Sequence, residues 1–197
     1  MKPFVIRVAV AITGAALIST ALAACSVSDP LADQFRAGDN KNYIAGDGTV
    51  TEFAPEARGK AVSWSGTTQS GTTLSSDSLL GKAAVINFWY AGCAPCRAEA
   101  PDLVALAKEH TDVQFVGVNV RDSADTAIAF DKNFGITWPS IIDANSGSVS
   151  LAFTGIVTPQ AVPTTLVIAK DGKVTARVLG RIDKSILNTL IKSAKEE

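Results

Sequence analysis

The sequence is poor in the residues that bind metals or cross-link a chain. Its 197 residues include three cysteines and one histidine, His110. Beyond one close cysteine pair, a closed tetrahedral zinc site needs two further ligands, and the chain offers one histidine and no second cysteine pair to supply them. Small secreted domains held by disulfides carry more cysteines than this, so a disulfide framework is excluded as well. We expect no metal and no other cofactor.

The chain also lacks an excess of charge of either sign. Eighteen Lys and Arg residues accompany nineteen Asp and Glu residues, for a net charge of −1. Domains that bind nucleic acid carry clustered basic residues that neutralise phosphates. The composition therefore indicates no nucleic-acid partner, and a weakly acidic surface is compatible with protein substrates.

The N-terminal segment has the three-part form of a secretory signal. Lys2 and Arg7 form a short basic region, residues 8–22 are almost wholly apolar, and Leu22-Ala23-Ala24-Cys25 follows. A small-residue site followed by cysteine resembles the lipobox of bacterial lipoproteins. We expect residues 1–24 to be a lipoprotein signal peptide and Cys25 to be lipidated, which anchors the protein at the extracytoplasmic face of the cell membrane. The alternative is an uncleaved membrane anchor with an incidental cysteine.

After the signal, the chain is predicted to contain a linker and one α/β domain. Residues 25–48 are rich in Asp, Asn, Gly and Ala and are predicted to be a tether. Residues 49–197 are predicted to form the domain, which is long enough to bury a substantial core. A short strand is expected at 49–53, and a hairpin with strands at 61–64 and 72–74 precedes the main sheet.

A strand–helix–strand unit is predicted at the centre of this domain. The apolar run 83–90 indicates a strand buried on both faces, 93–110 a helix, and 113–120 a second apolar strand. A connection of this length implies parallel strands and a right-handed crossover. Further helices are predicted at 125–134, 149–153 and 183–194, and further strands at 139–143, 164–169 and 173–179. Together these elements predict a central mixed sheet flanked by helices.

The two remaining cysteines form the pattern Cys93-Ala94-Pro95-Cys96 at the start of the predicted helix. Backbone N–H groups are unpaired at a helix N-terminus and the helix dipole is positive there, so a thiolate at Cys93 is favoured. The thiolate is the species that attacks a disulfide. We expect Cys93 to be the nucleophile, nearer to solvent, and Cys96 to be less accessible and to resolve the mixed disulfide. The pattern therefore predicts a thiol–disulfide oxidoreductase.

Several further motifs occur in the order in which one known family has them. The motifs that resemble a thioredoxin-fold protein are Asn87-Phe88-Trp89, the cysteine pair, Pro101, and Val162-Pro163-Thr164 before a strand. The motifs that are similar to the membrane-tethered TlpA/ResA-type thiol–disulfide oxidoreductases are Arg97-Ala98-Glu99-Ala100-Pro101, Trp138-Pro139 and the lipobox. The resemblance implies a thioredoxin-like α/β fold with an N-terminal β-hairpin extension. It also implies that Cys93 and Cys96 form a redox-active disulfide.

Glu99 is the candidate for proton transfer. It shares a helical stripe with Leu103 and Leu106, so it is predicted to point inward, where burial raises its pKa. A carboxyl at this position could exchange a proton with the cysteines. The family that the chain resembles has a functional carboxylate at this position of its motif. The alternative is a side chain that reaches out to solvent. Thioredoxin has a buried Asp where this chain has Asn87, so that proton relay cannot be carried over.

Three residues are candidates for substrate binding. In thioredoxin folds a cis-proline loop lies against the cysteine pair, and the resemblance assigns that place to Pro163. Val162 would then offer its backbone N–H and C=O to an extended segment of the substrate. Trp89 is expected mainly in the core or as a wall of the cleft. Many relatives have Trp directly before the first cysteine, where this chain has Gly92.

The leading functional interpretation is a reductase of disulfides in exported proteins, with apocytochrome c as one target. An integral-membrane thiol electron carrier would reduce it again. The alternative is a thiol oxidase that introduces disulfides into exported proteins. A copper metallochaperone is a less favoured alternative. Such proteins have a wider cysteine spacing and a distal histidine, whereas two residues separate the cysteines here and His110 lies at the far end of the same helix. A thiol peroxidase would need a threonine before Cys93, where the chain has Tyr90-Ala91-Gly92.

Overall fold

Eight strands and four helices make up the part of the chain that the computed structural model describes, residues 47–157 and 161–197. The strands are β1 (Asp47–Glu52), β2 (Ser65–Thr67), β3 (Thr73–Ser75), β4 (Ala84–Trp89), β5 (Gln114–Asn119), β6 (Ser140–Ile142), β7 (Thr164–Ile168) and β8 (Val174–Gly180). The α-helices are α1 (Ala94–Glu109), α2 (Ala124–Phe134), α3 (Ser148–Ala152) and α4 (Lys184–Glu196). Short 3₁₀ turns lie at Pro55–Ala57 and Ser76–Leu79.

Six of these strands form one mixed sheet in the order β1-β8-β7-β4-β5-β6. β4 pairs in parallel with β5, and β5 pairs in parallel with β6, as a helical crossover between strands requires. β7, β8 and β1 add antiparallel strands on the other side of β4. The predicted parallel pairing and mixed sheet are confirmed, and every residue of β4 is buried, as its apolar sequence indicates.

Alternate residues of β4 face opposite sides of the sheet and belong to two apolar clusters. Val85 packs with residues of α1 and α4, Leu106 and Leu187 among them. Ile86 belongs to the cluster that contains the two cysteines and Phe153. The site chemistry therefore lies at the end of a strand that is covered on both faces.

The β2–β3 hairpin lies later in the chain than predicted. Its first strand is Ser65–Thr67, with Gly66 opposite Leu74, and not the expected 61–64. A Cβ at Gly66 would lie 2.4 Å from Cγ2 of Ile141, so the hairpin packs closely on the sheet at this residue. That contact with a distant strand sets the position of the hairpin, and the local pattern could not indicate it.

The N-terminal predictions fall on residues that the structure does not describe. The predicted signal peptide at 1–24, the lipidation site Cys25 and nearly all of the predicted tether lie outside the described ranges. Within those ranges, the helices are too short or too polar to span a bilayer.

Asp131 on α2 is a buried carboxyl that binds Gln69, and Gln69 joins the hairpin loop to the sheet edge. Gln69 donates its Nε2–H to Asp131 Oδ2 (3.0 Å) and accepts, through Oε1, the N–H of Ser140 (2.8 Å). Asp131 Oδ1 has no hydrogen-bond partner among the described residues. Burial raises the pKa of Asp131 to about 6, although the bond from Gln69 acts in the opposite direction.

We expect Asp131→Asn to raise the free energy of unfolding at pH 7 by about 1 kcal/mol. A carboxyl with a raised pKa favours the fold below the unfolded value of 3.8, and this contribution is lost as the pH rises through about 6. Asparagine avoids the buried charge, and its oxygen can still accept from Gln69. Urea unfolding at pH 4 and pH 7 measures the effect. An equal change at both pH values would contradict this explanation.

Candidate active site at the Cys93–Cys96 disulfide

Cys93 and Cys96 form a disulfide where β4 passes through a short turn into α1. The S–S distance is 2.09 Å and the two Cα atoms are 5.3 Å apart. Cys93 is the N-cap of α1, and its Sγ accepts the N–H of Cys96 at 3.2 Å. Pro95 lies in the first helical turn, where a missing N–H is tolerated because those groups have no partner within the helix. The sequence thus places a sulfur at the positive end of the helix dipole.

Both cysteines are buried in the disulfide form. The exposed fraction is 0% for Cys93 and 3% for Cys96, so the expectation that Cys93 lies nearer to solvent is wrong for this state. The reason is that Cys93 belongs to the same apolar cluster as Tyr90 and Val162. Gly92 and Ala94 on either side of it are exposed, so Cys93 lies directly beneath the surface.

Glu99 points inward, as predicted, and its side chain is completely buried. Oε1 accepts a hydrogen bond from Nδ2 of Asn87 (2.9 Å), and Oε2 accepts one from the backbone N–H of Ile182 (3.0 Å). The same Asn87 nitrogen also donates to Oγ1 of Thr165 (3.0 Å). The alternative of a side chain that reaches solvent is therefore wrong.

Burial raises the pKa of Glu99 to about 8. The hydrogen bonds from Ile182 and Asn87 act in the opposite direction because they stabilise the carboxylate. Arg181 also lowers the pKa, and Asp102 raises it. A group in this range gains and loses its proton near neutral pH, which is the property that a proton donor and acceptor needs.

A small cavity of about 10 Å³ lies beside Cys96 and one member of this hydrogen-bond network, Asn87. Its walls include Cys96, Asn87, Trp89 and Trp138. Asn87, which is hydrogen-bonded to Glu99, and Cys96 therefore line the same cavity. Trp89 is only 4% exposed and packs against Phe130 with 4.3 Å between ring centroids, so it lies in the apolar cluster that also holds both cysteines.

The Val162–Pro163 peptide bond is cis, as the resemblance implied. Both residues are buried, and Val162 belongs to the same apolar cluster as Cys93 and Cys96. The carbonyl of Pro163 accepts the N–H of Gly180 (2.8 Å), which joins the start of β7 to the end of β8. Four of the predicted site residues thus belong to one apolar cluster: Cys93, Cys96, Trp89 and Val162. Pro163 follows Val162 directly, Glu99 is hydrogen-bonded to Asn87, and Cys25 lies outside the described residues.

Sequence reasoning missed some partners of the site. Asn87 could have been predicted as a partner of Glu99. It lies two residues after Val85 on β4, so its side chain faces the same side of the sheet, which α1 and α4 cover. Ile182 could not, because a backbone N–H from a loop 83 residues away leaves no sequence signal. The contacts around Ala91, including those of Asp122, were missed for the same reason.

A sequence model described as the AhpC/TSA family matches residues 54–177, more than half of the chain. The chain belongs to this family. The family's boundaries enclose both cysteines, Glu99 and the cis-proline loop. The suspected relation to ResA-type proteins is confirmed by the individual relatives.

Among these relatives is the thiol-disulfide oxidoreductase ResA of Bacillus subtilis, which is 32% identical over 120 residues. That alignment covers 60% of this chain and 64% of ResA. The curated relatives matched first are covered over 60 to 64% of their length, which is less than two thirds.

Solved structures confirm the thioredoxin-like fold. A thiol:disulfide interchange protein of the thioredoxin family from Chlorobium tepidum superposes with a TM-score of 0.63 and 32% identity, covering 72% of this chain and 99% of that one. A secreted thiol-disulfide isomerase from Corynebacterium glutamicum superposes with a TM-score of 0.69 and 25% identity, covering 79% and 98%.

Proposed function

We propose that this AhpC/TSA-family protein is an extracytoplasmic thiol–disulfide oxidoreductase that reduces disulfides in exported proteins. The observation that carries the proposal is the Cys93–Cys96 disulfide at the N-terminus of α1, next to a buried carboxyl network. The activity named for ResA, together with the similarity of the two chains, supports the same reaction class.

The proposed reaction begins with the reduced pair. The thiolate of Cys93 attacks one sulfur of a partner's disulfide, so a Cys93–partner bond forms and the partner's S–S bond breaks. The electron pair leaves on the partner's other sulfur, which takes up a proton. Deprotonated Cys96 then attacks Cys93, forms the disulfide seen here and releases the partner's second thiolate. The partner gains two electrons and this protein loses them.

Glu99 is proposed to accept the proton of Cys96 before the second attack and to return it when the pair is reduced. Three features support this role: the burial of the carboxyl, its pKa of about 8, and its link through Asn87 to the cavity beside Cys96. The two donated hydrogen bonds hold the carboxylate form in place once the proton has left.

Val162 and Pro163 are proposed to guide the substrate. Their loop shares an apolar cluster with the disulfide, so an extended segment that pairs with the backbone of Val162 would pass close to the sulfurs. Trp89 is proposed to support this surface from below, because it is buried and stacked on Phe130.

The proposed location is the outer face of the cell membrane, with lipidated Cys25 as the anchor. The secreted state of the Corynebacterium glutamicum relative supports export. An integral-membrane thiol carrier would supply electrons, and apocytochrome c is proposed as one substrate.

The direction of transfer is tested by the equilibrium potential of the Cys93–Cys96 couple. We expect a value near −270 mV, the reducing end of the range for this fold, which extends to about −120 mV. The full chain in detergent is equilibrated with dithiothreitol buffers, and the reduced fraction is read by thiol alkylation. A value near −120 mV would reverse the direction and favour the oxidase. If the two cysteines did not convert between dithiol and disulfide, both the reductase and the oxidase interpretation would be refuted.

A further inference from the structure

The turn that leads into Cys93 is held by side chains from outside it. The N–H of Ala91 donates to Oδ2 of Asp122 (2.6 Å), and the carbonyl of Ala91 accepts from Nη1 of Arg97 (3.3 Å). Two groups of opposite charge thus bind both polar groups of one backbone residue. Within the turn itself, the N–H of Cys93 donates to the carbonyl of Tyr90 at 3.2 Å.

Asp122 is itself fixed to the end of β5. Its Oδ2 also accepts from Nδ2 of Asn119 (2.8 Å), and Oδ1 of Asn119 accepts the N–H groups of Asp122 (2.7 Å) and Arg121 (3.1 Å). Asn119 is completely buried. The carboxylate is therefore oriented by the end of a strand that is paired on both sides, with β4 and with β6.

Arg97 is held from the other side of the turn. Its guanidinium lies over the rings of Phe134 (5.3 Å) and Phe130 (5.9 Å) of α2, at distances where cations are attracted to aromatic faces. Arg121 lies over the ring of Tyr90 at 4.6 Å. The turn is thus joined to α1, α2 and the β5–α2 loop.

We propose that Asp122 is a positioning residue that keeps Cys93 at the N-terminus of α1 when the disulfide is open. This inference rests on the proposed function. In the oxidised state the S–S bond ties Cys93 to the helix, but reduction removes that tie. The bond from Ala91 to Asp122 involves neither sulfur, so reduction removes neither its donor nor its acceptor.

The proposed role needs the oxygen acceptor of Asp122 and not its charge. A negative group close to a nucleophilic cysteine disfavours the thiolate. The useful property of the side chain is therefore its oxygen acceptor, and asparagine retains such an acceptor without the charge. The two substitutions Asp122→Ala and Asp122→Asn separate the acceptor from the charge.

The test compares these variants in the reduced full chain. In Asp122→Ala we expect amide exchange at Ala91, followed by NMR, to be about tenfold faster and turnover of insulin to fall about tenfold, the factor that corresponds to 1.4 kcal/mol. In Asp122→Asn both should stay within about threefold of the wild type. Asp125→Ala, in the exposed first turn of α2, is the matched control and should change neither.

The outcomes are distinguishable. The inference is overturned if exchange at Ala91 stays at the wild-type rate in Asp122→Ala, or if Asp122→Asn is as defective as Asp122→Ala. A lower thermal midpoint with unchanged exchange at Ala91 would indicate a merely structural role and would also overturn it. If the wild type reduces no disulfide, the proposed function fails, while the exchange measurement still decides the role of Asp122.

Discussion

Cys93→Ala is expected to abolish reduction of insulin disulfides, with a loss of at least about 1000-fold. Cys93 provides the sulfur at the helix N-terminus, and Cys96, the other cysteine among the described residues, is assigned the second attack. Turnover is measured by the precipitation of reduced insulin with dithiothreitol as electron donor. The substitution removes only a small side chain, so circular dichroism should show an intact fold.

Two other cysteine substitutions are the controls for this result. Cys96→Ala leaves the nucleophile but not the attack that releases the partner, so a mixed disulfide should accumulate and be visible on a non-reducing gel. Cys25→Ala should keep the turnover of detergent-purified protein at the wild-type level, because Cys25 is proposed to anchor the chain only. Accumulation of the mixed disulfide on Cys96 in Cys93→Ala would reverse the proposed roles.

Glu99→Gln is expected to remove the pH dependence of turnover between about pH 7 and 9. The pKa of Glu99 is raised to about 8 by burial, so its proton is exchanged within this interval. Glutamine cannot take up or release a proton. Its oxygen can still accept the N–H of Ile182, and Asn87 can rotate its amide to meet the new NH₂ group. Initial rates of insulin reduction across the interval measure the effect; an unchanged profile would refute the proton role.

The same substitution should also stabilise the protein at alkaline pH, by about 2 kcal/mol. A carboxyl whose pKa is raised on folding favours the fold fully below its unfolded pKa of 4.5, and the contribution is lost as the pH rises through about 8. The gain from Glu99→Gln should therefore be small at pH 5 and largest near pH 9. Glu109→Gln, on the exposed face of the same helix, is the matched control and should show no such trend.

Much of the fold could be predicted because its strongest patterns are local. The continuous apolar run of β4 indicates a strand with both faces covered, and α1 follows at the two cysteines. The inward direction of Glu99 also follows from helical periodicity, since Leu103 and Leu106 mark the buried stripe.

The errors come from contacts between distant segments. The hairpin lies at 65–67 and 73–75 because Gly66 packs against Ile141, which the hairpin sequence does not show. Cys93 is buried in the disulfide form because it belongs to an apolar cluster that includes Val162, from a distant part of the chain. Neither arrangement has a periodic signature that a sequence window could detect.

The spacing of residues along one helix identifies the reacting sulfurs and the buried carboxyl, because helical periodicity alone fixes which positions share a face. The hydrogen-bond partners around these groups were decided only by the tertiary structure. The donors to Glu99 from Asn87 and Ile182, and the bond from Ala91 to Asp122, join segments that only the folded sheet brings together. Hydrogen bonds of this kind depend on the distance and direction between two atoms, and those are set by tertiary packing.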